Sequence, residues 1–337
     1  MTAPSPKFLL VRLGSLGDVI HAIPSAAALR ARYPDAQIDW LVDPRYTAVL
    51  QLVEGLSHAI PVDPRKSVAA LLGTLRTLRR EKYDAAVDFQ GLLKSALFAR
   101  AAGAARVIGF PREHLREPAA RFFYTETPSP GTEPHVIRKN LALIGALGVE
   151  KLRVAFPLKL PRTVTGDTAA AGFGSEGYAL INPGAAWPNK RWTPQRFGAV
   201  AAQIRERIGM RSLVLWGPGE EGIASLVVSS SRGAADLAPP TNILDIFAIA
   251  RGAKLMVSGD TGPLHIAAAV GTPVVALFGP TYAERNGPWS SDDITISRNA
   301  RCFCHYERKC RLLQPCIEDI AVDEVVTAAE YRVAARG

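Results

Sequence analysis

Short apolar runs alternate with amphipathic segments of helical length along most of this 337-residue chain. In the first half, strands are expected at 8–13, 38–42, 59–62, 85–89 and 107–110, and helices at 19–33, 68–82, 92–102 and 136–147. Strands that alternate with helices form βαβ units, and such units build parallel sheets. The pattern therefore predicts an α/β fold.

A second alternating set begins at Tyr178. Strands are expected at 179–182, 213–216, 255–258 and 274–278, and helices at 194–208, 244–251 and 263–270. Residues 158–176 lose this periodicity and are rich in Pro, Thr, Gly and Ala. We therefore expect an N-terminal doubly wound domain (1–160), a linker (161–176) and a second doubly wound domain (177–320). Residues 321–337 form a C-terminal helix that could pack back on the first domain, and the two domains would face a cleft.

Composition limits the class of protein. Hydrophobic residues make up 48% and charged residues 21%, which suits two globular cores. The net charge of +9 suits an anionic ligand, an acidic membrane surface or nucleic acid. Met1 to Pro6 carry no signal-peptide core, and no apolar run reaches the roughly 18 residues that a spanning helix needs. We therefore expect a cytoplasmic protein that could lie peripherally on a membrane.

All four cysteines, Cys302, Cys304, Cys310 and Cys316, lie close together in the sequence. Their C-x-C-x5-C-x5-C spacing is a loose match to a metal cluster, whereas zinc sites usually have tighter C-x2-C pairs. This difference favours reduced thiols packed under a loop. No metal ligand and no cofactor are assigned.

The first expected strand ends in a glycine-rich turn, Arg12-Leu13-Gly14-Ser15-Leu16-Gly17-Asp18. The turn has neither the G-x-G-x-x-G spacing of dinucleotide folds nor a phosphate-loop motif. Asp18 has two interpretations: it could cap the following helix, or it could act as a general base that Arg12 keeps ionised. Ligands of parallel sheets bind at the carboxyl ends of strands, which favours the second interpretation.

Three expected strands in the second half also end in polar turns. These turns are Asn182 to Ala186, Gly217 to Glu221, and Ser258 to His265. Thr261 could cap the next helix and leave its amides pointing at an anion such as a diphosphate.

Each charged or polar group near these turns has an alternative interpretation. Lys190 and Arg191 could neutralise a departing diphosphate or form a solvated surface pair. Glu220 could bind ribose hydroxyls or only favour a helix dipole. A single histidine such as His265 is more often a hydrogen-bonded partner than a catalyst.

Taken together, these motifs resemble those of the lipopolysaccharide heptosyltransferases, the inverting family 9 glycosyltransferases of GT-B architecture. The resemblance covers Phe8 to about Ala328. The motifs that carry it are the turn ending in Asp18, Asp88-Phe89-Gln90-Gly91-Leu92-Leu93-Lys94-Ser95-Ala96, Arg116-Glu117-Pro118, Pro183-Gly184-Ala185 with Lys190-Arg191-Trp192, and Gly259-Asp260-Thr261-Gly262 with His265.

The resemblance implies roles for particular residues. Asp18 would be the catalytic base, and Lys190 would neutralise the diphosphate of the donor. The implied donor-binding residues are Gly184, Lys190, Glu220, Asp260, Thr261, Gly262 and His265. The implied acceptor-binding residues are Ser15, Gly17, Gln90, Arg112 and Arg116. Arg76, Arg79 and Arg80, at helical spacing, could instead form a solvated face.

The resemblance also implies the substrates. The donor would be ADP-heptose (ADP-L-glycero-D-manno-heptose), and the acceptor a Kdo-lipid A precursor on the inner leaflet of the membrane. The reaction would invert the configuration of the anomeric carbon of the transferred sugar, use no metal ion and involve no nucleic acid. The Asp88–Ala96 and Arg116–Pro118 motifs are similar to heptosyltransferase I, while the Pro183 and Lys190 motifs are closer to heptosyltransferase II. Addition of the first heptose is favoured, and addition of the second is the alternative.

The residues alone leave two other classes of protein as alternatives. A dinucleotide-dependent oxidoreductase shares tandem α/β domains, although the G-x-G-x-x-G motif is missing from both first turns. A nucleotide-binding regulatory or metal-binding module could be built around the cysteine segment.

Overall fold

The computed structural model describes residues 5–63, 65, 67–150 and 153–335. The chain forms two compact units, Met1–Lys159 and Leu160–Gly337. Within these described residues, each unit contains one sheet, with five strands in the first and six in the second. Every strand pairing that is described is parallel, which confirms the α/β prediction.

The first unit has the strand order β3-β2-β1-β4-β5. Its elements are β1 (Lys7–Val11), α1 (Leu16–Arg32), β2 (Gln37–Val42), α2 (Thr47–Gln51), β3 (His58–Pro61), α3 (Val68–Glu81), β4 (Ala85–Asp88), α4 (Leu93–Ala101), β5 (Arg106–Ile108) and α5 (Val136–Gly145). The order reverses between β1 and β4, where Val11 pairs with Asp88. A reversal of this kind opens a crevice at the carboxyl ends of the two strands.

The second unit has the strand order β11-β10-β9-β6-β7-β8. Its elements are α6 (Val164–Ala171), β6 (Tyr178–Asn182), α7 (Pro194–Ile208), β7 (Arg211–Val214), α8 (Glu221–Ser230), β8 (Ala235–Leu237), α9 (Ile243–Gly252), β9 (Leu255–Gly259), α10 (Gly262–Ala269), β10 (Val274–Phe278), α11 (Ala283–Asn286), β11 (Ile294–Ser297) and α12 (Val322–Ala334). Here the order reverses between β6 and β9, where Asn182 pairs with Ser258.

The core of the second unit lies between its sheet and the helices. Strands β6, β9 and β10 are buried at every position. Helix α7 contributes Phe197, Val200, Ala201 and Ile204, which are spaced to share one helical face. Burying each of the large side chains stabilises the fold by about 1.5–3 kcal/mol relative to an exposed position.

The predicted boundaries of α7 are confirmed. Thr193 occupies the N-cap position, Pro194 the first helical position, and Gly209 the left-handed C-cap with φ of 78°. Proline suits the first turn because its missing N–H has no partner there, and glycine suits a positive φ because it has no Cβ. The edge strands β8 and β11 were not expected, because neither contains an apolar run.

The segment that we expected to be a linker contains helix α6. The Thr163 hydroxyl accepts a hydrogen bond from the Gly166 N–H at 3.0 Å, which starts the helix. A Cβ on Gly166 would lie 2.7 Å from the Cβ of Ala248 in α9, so the two helices are in close contact. Because small residues make this contact, the segment lacks the apolar period that identifies longer helices.

Helix α12 packs within the second unit. The sequence analysis left open that the C-terminal helix could pack back on the first domain. Its buried residues Val325, Val326 and Ala329 instead join the core of the second unit, and Arg332 forms an ion pair with Asp293 there at 2.9 Å. The apolar face of the helix is thus used within its own unit. Among the described residues, no helix has both the length and the apolar character needed to cross a membrane.

The close contact between α7 and α8 gives a test of the fold. A Cβ on Gly198 would lie 2.5 Å from the Cβ of Ser230 and 2.8 Å from the carbonyl oxygen of Val227. We expect Gly198→Ala to lower the free energy of unfolding by about 1–3 kcal/mol through overpacking, despite the higher helix propensity of alanine. Urea unfolding followed by circular dichroism measures this change.

Gly222→Ala is the matched control, because Gly222 lies in α8 and a Cβ there has no neighbour within 4 Å. This variant should be as stable as the wild type or slightly more stable. Equal stability of the two variants would show that α7 and α8 do not depend on glycine at their contact.

Candidate active site

The first group of candidate residues lies at the crevice beside β1. Asp18 is the third residue of α1, and Ser15 occupies the N-cap position. The Asp18 carboxylate accepts hydrogen bonds from the Ser15 N–H at 3.1 Å and the Ser15 hydroxyl at 2.9 Å. It also forms an ion pair with the Arg12 guanidinium at 2.6 Å. Asp18 therefore supports the start of the helix in the manner of a capping box and remains partly exposed.

Arg12 and Gln90 join the turn after β1 to the turn after β4. The buried Arg12 guanidinium donates to the carbonyl oxygen of Phe89, and the Trp40 indole N–H donates to the Arg12 carbonyl at 3.2 Å. The Gln90 side-chain oxygen accepts from the Leu13 N–H at 2.8 Å. Asp18 thus lies on a turn that is hydrogen-bonded to the turn after the neighbouring strand β4.

Asp88 organises the turn after β4 from a fully buried position. Its carboxylate accepts hydrogen bonds from the Gln90 N–H at 2.8 Å, the Ser95 hydroxyl at 2.9 Å and the Tyr124 hydroxyl at 2.7 Å. Burial raises the pKa of Asp88, while these donors act against the rise. Sequence reasoning missed Tyr124, because nothing in its neighbourhood along the chain points to Asp88.

The Arg116-Glu117-Pro118 motif contacts this same turn. The Glu117 carboxylate accepts a hydrogen bond from the Leu93 N–H at 2.7 Å and so supports the start of α4. A Cβ on Gly91 would lie 2.8 Å from the side chain of the buried Leu115. Arg112 and Arg116, on either side of Leu115, are both exposed. The loop is therefore held by Leu115 and Glu117, and it presents the two arginines to solvent.

The second group of candidate residues centres on the Asp260 carboxylate in the second unit. It forms an ion pair with the Lys190 ammonium at 2.6 Å, accepts from the Thr281 hydroxyl at 2.7 Å and lies 3.3 Å from the His265 Nε2. Although burial opposes ionisation, the hydrogen bond with His265 and the charge of Lys190 hold the pKa of Asp260 well below its ordinary value. Thr281 belongs to no motif that the sequence analysis identified.

Lys190 is enclosed rather than displayed on the surface. Its side chain is only 16% exposed, and its ammonium lies 4.7 Å from the centre of the Trp187 ring. The surface-pair interpretation is therefore wrong for Lys190. An aromatic face and a carboxylate hold the ammonium in one place.

A pocket of about 200 Å³ adjoins this group. It is lined by Asn182, Gly184, Ala185, Ala186, Leu215, Trp216, Gly217, Glu220, Ile246, Thr261, Gly262 and Pro263. The turns after β6, β7 and β9 all contribute to the lining, as the sequence analysis expected. The pocket combines an apolar wall with a few polar groups, which is typical of small-molecule sites.

Glu220 is held tightly at this pocket. Its carboxylate accepts from the Gly217 N–H at 3.2 Å and lies 3.9 Å from the Arg191 guanidinium. A Cβ on Gly184 would lie 2.0 Å from a Glu220 carboxylate oxygen, so a side chain at that position would displace the carboxylate. Gly184 therefore makes room for the acid.

Thr261 occupies the N-cap position of α10, as expected, but its hydroxyl does not cap the helix. The hydroxyl lies 3.1 Å from the Asn182 side-chain nitrogen and 3.1 Å from the Ser258 hydroxyl. These contacts tie the turn after β9 to the turn after β6. The helix begins at Gly262, one residue earlier than the sequence analysis expected.

Solved structures share this two-unit fold. The E. coli heptosyltransferase WaaC, solved with ADP, matches with a TM-score of 0.79 at 20% identity and covers 97% of this chain and 99% of that chain. The E. coli ADP-heptose lps heptosyltransferase II matches with a TM-score of 0.76 at 20% identity, over 98% of this chain and 99% of that chain. The fold is the GT-B architecture of glycosyltransferases, as the resemblance implied.

Sequence comparison agrees with the fold. A sequence model of glycosyltransferase family 9 (heptosyltransferase) matches residues 72–315. The lipopolysaccharide heptosyltransferase 1 of Pseudomonas aeruginosa is 29% identical over 331 residues, which cover 93% of this chain and 89% of that protein. The chain belongs to glycosyltransferase family 9 and is therefore an enzyme that transfers a sugar.

The hydrogen bond between Tyr124 and Asp88 gives a test of the first group of residues. We expect Tyr124→Phe to lower the free energy of unfolding by about 1–3 kcal/mol, because it leaves a buried carboxylate oxygen with one donor fewer. Urea unfolding compares it with Tyr331→Phe, since the Tyr331 side chain in α12 is exposed. If both variants are as stable as the wild type, the Tyr124 hydroxyl does not support the Asp88 turn.

Proposed function

We propose that this protein transfers L-glycero-D-manno-heptose from ADP-heptose to Kdo-lipid A, as a heptosyltransferase I of lipopolysaccharide core synthesis. The family membership supports a heptosyl transfer, and the names of its relatives point to the lipopolysaccharide core. The observation that carries the proposal is the enclosed Lys190–Asp260 pair beside a pocket with Glu220 in its wall. This arrangement suits a sugar nucleotide, whose diphosphate is anionic and whose ribose has two hydroxyls.

The second unit would bind the donor. Glu220 would accept hydrogen bonds from the ribose, and the turn at Thr261 and Gly262 would receive the diphosphate at the start of α10. Lys190 now shares its charge with Asp260. A diphosphate would compete with Asp260 for that ammonium, so donor binding would redistribute the contacts of Lys190. Asp260 and His265 would then be available to the sugar.

The first unit would supply the base and the acceptor site. Asp18 would take the proton of the acceptor hydroxyl while that oxygen attacks the anomeric carbon of the heptose. The new carbon–oxygen bond forms as the bond to the diphosphate breaks, and ADP leaves with the electron pair. Lys190 and the amides of α10 would stabilise the charge on the leaving diphosphate. A single displacement inverts the anomeric carbon, and no step requires a metal ion.

The acceptor would meet Ser15, Gly17, Gln90, Arg112 and Arg116 on the first unit. Ser15 is exposed and Gly17 is buried at the start of α1, while Gln90 already bonds to the turn after β1. The two arginines are the cations of this set, and they would pair with Kdo carboxylates or lipid A phosphates. Addition of the second heptose is the alternative, because one structural neighbour bears the name heptosyltransferase II.

The first experiment measures ADP release from ADP-heptose with two acceptors, Kdo-lipid A and the same molecule already carrying one heptose. We expect turnover with Kdo-lipid A. Asp18→Asn should lower kcat by about 10²–10⁴-fold, because an amide cannot accept the proton. Asp35→Asn is the matched control in the same unit, since Asp35 lies exposed after α1.

Turnover with the heptosylated acceptor alone would assign the second addition instead of the first. Release with neither acceptor would contradict the proposed reaction. Thermal unfolding of Asp18→Asn shows whether the variant is folded at the assay temperature, because Asp18 also supports the start of α1. A fall in kcat of the folded variant then reports on the lost base.

The acceptor site has its own prediction. The double variant Arg112→Ala/Arg116→Ala should raise the KM for Kdo-lipid A by about 100-fold or more, because each of the two charged hydrogen bonds contributes about 1.5–3 kcal/mol. The KM for ADP-heptose should stay unchanged. Arg76→Ala/Arg80→Ala removes the same charge from exposed positions on α3, so it controls for net charge. Equal acceptor KM values in the two double variants would rule out a specific role for Arg112 and Arg116.

A further inference from the structure

Residues 301–316 are here called the cysteine loop. One short helical turn ends at its first residue, Arg301, another begins at its last residue, Cys316, and the residues between them form no regular helix or strand. The buried side chains of this segment are Cys302, Cys304 and Cys316, and Cys310 packs against them. The sulfur of Cys304 lies 3.7 Å from that of Cys302 and 3.7 Å from that of Cys310. The thiols therefore fill the interior of the loop, and its large apolar side chains are left for the outside.

Those apolar side chains are exposed to an unusual degree. Phe303 is 77% exposed, Leu312 is 44% exposed, and Leu313 is fully exposed. Each would be stabilised by burial of its exposed apolar surface. Several large exposed apolar residues on one short segment favour a binding surface more than single exposed residues do.

The charges of the same segment narrow the choice of partner. Arg301, Arg308, Lys309 and Arg311 are all exposed cations. The acid among them is Glu307, which forms an ion pair with Arg311 at 2.6 Å. Arg301 forms an ion pair with Asp319, just outside the segment, at 3.4 Å. The segment itself is net positive, which favours an anionic partner. Apolar side chains interleaved with Lys and Arg are the combination that binds the interface of an anionic bilayer.

We propose that the cysteine loop docks on an anionic lipid bilayer. Phe303, Leu312 and Leu313 enter the boundary between headgroups and acyl chains, and the cations meet lipid phosphates. The inference deepens the proposed function and rests on it for one step, namely that the acceptor is a lipid.

The loop is attached to the segments that carry the donor-site residues. The Asn189 side chain donates to the Glu307 carbonyl at 2.8 Å, next to Lys190. The Tyr306 N–H donates to the Pro280 carbonyl at 3.3 Å, and the Tyr282 ring stacks on His305 at 4.8 Å, on either side of Thr281. A loop that lies on the bilayer therefore holds Lys190 and Thr281 near the lipid surface, where a lipid acceptor would be found.

The test is flotation of the purified full-length protein with vesicles. One set of vesicles contains phosphatidylcholine alone, and the other contains phosphatidylcholine mixed with phosphatidylglycerol. We expect binding to the anionic vesicles, weakened by salt. Phe303→Ser/Leu313→Ser should lower the partition coefficient by about tenfold or more, because less apolar surface is buried. Arg308→Gln/Lys309→Gln should lower it by about tenfold or more through lost charge.

Tyr331→Ser/Leu226→Ser is the matched control, because it removes two exposed apolar side chains from helices of the same unit. Its binding should equal that of the wild type. If Phe303→Ser/Leu313→Ser also binds like the wild type, or if the wild type binds neither vesicle, the docking proposal is overturned. A change in oligomeric state of the loop variant without any change in vesicle binding would assign the loop to a contact between copies instead.

A second readout separates this inference from the proposed function. ADP release with a soluble Kdo acceptor that lacks acyl chains should be the same in the wild type and in Phe303→Ser/Leu313→Ser. If the wild type releases no ADP with Kdo-lipid A or with the heptosylated acceptor, but the loop variant still loses vesicle binding, the proposed reaction fails and the docking surface stands. If ADP release proceeds normally and vesicle binding does not depend on the loop, the reaction stands and the docking surface fails.

Discussion

The reversal of strand order in each sheet is the constraint on which both groups of candidate residues depend. Between β1 and β4, and again between β6 and β9, neighbouring strands send their helices in opposite directions. The turns that follow such strands are left with space between them at the carboxyl edge. Across one such space, Arg12 pairs with Asp18 and donates to the Phe89 carbonyl, and Gln90 accepts from the Leu13 N–H. Across the other, the Asn182 amide donates to the Thr261 hydroxyl.

Two buried aspartates show how the same chemical group serves different purposes in these spaces. Asp88 receives its hydrogen bonds from neutral donors, and burial raises its pKa. Asp260 faces a lysine and a histidine, which lower its pKa despite its burial. The Asp88 carboxyl stabilises the turn after β4 through these hydrogen bonds. The Asp260 carboxyl is an ionised group that holds the Lys190 ammonium.

The candidate residues on the two turns also have structural duties, and this complicates their interpretation. Asp18 supports the start of α1 while it stays partly exposed. Glu220 bonds to the backbone of its own turn while it lines the pocket. A carboxylate held by the backbone keeps one orientation, which is an advantage for a group that must meet a substrate. The helix-cap and base interpretations of Asp18 are therefore compatible.

Much of the fold could be predicted, because local patterns carry it. Apolar runs such as Val274–Phe278 are buried on both faces, so their strands can be predicted from composition alone. Proline and glycine marked both ends of α7 for equally local reasons. Helix α6 was missed because it packs through glycine and alanine. Strands β8 and β11 were missed because neither contains an apolar run: Asp236 interrupts β8, and Thr295 and Ser297 alternate with isoleucine in β11.

The two sheets, the turns at their edges and the family of the chain can be read from the amino-acid sequence, because they follow from periodicity and motifs within short stretches. Which side chains meet is a property of the tertiary structure. Tyr124 bonds to Asp88, Thr281 bonds to Asp260, and Glu117 supports the start of α4. Their partners are 36, 21 and 24 residues away along the chain. Such contacts depend on how the elements pack in space, and no local pattern encodes them.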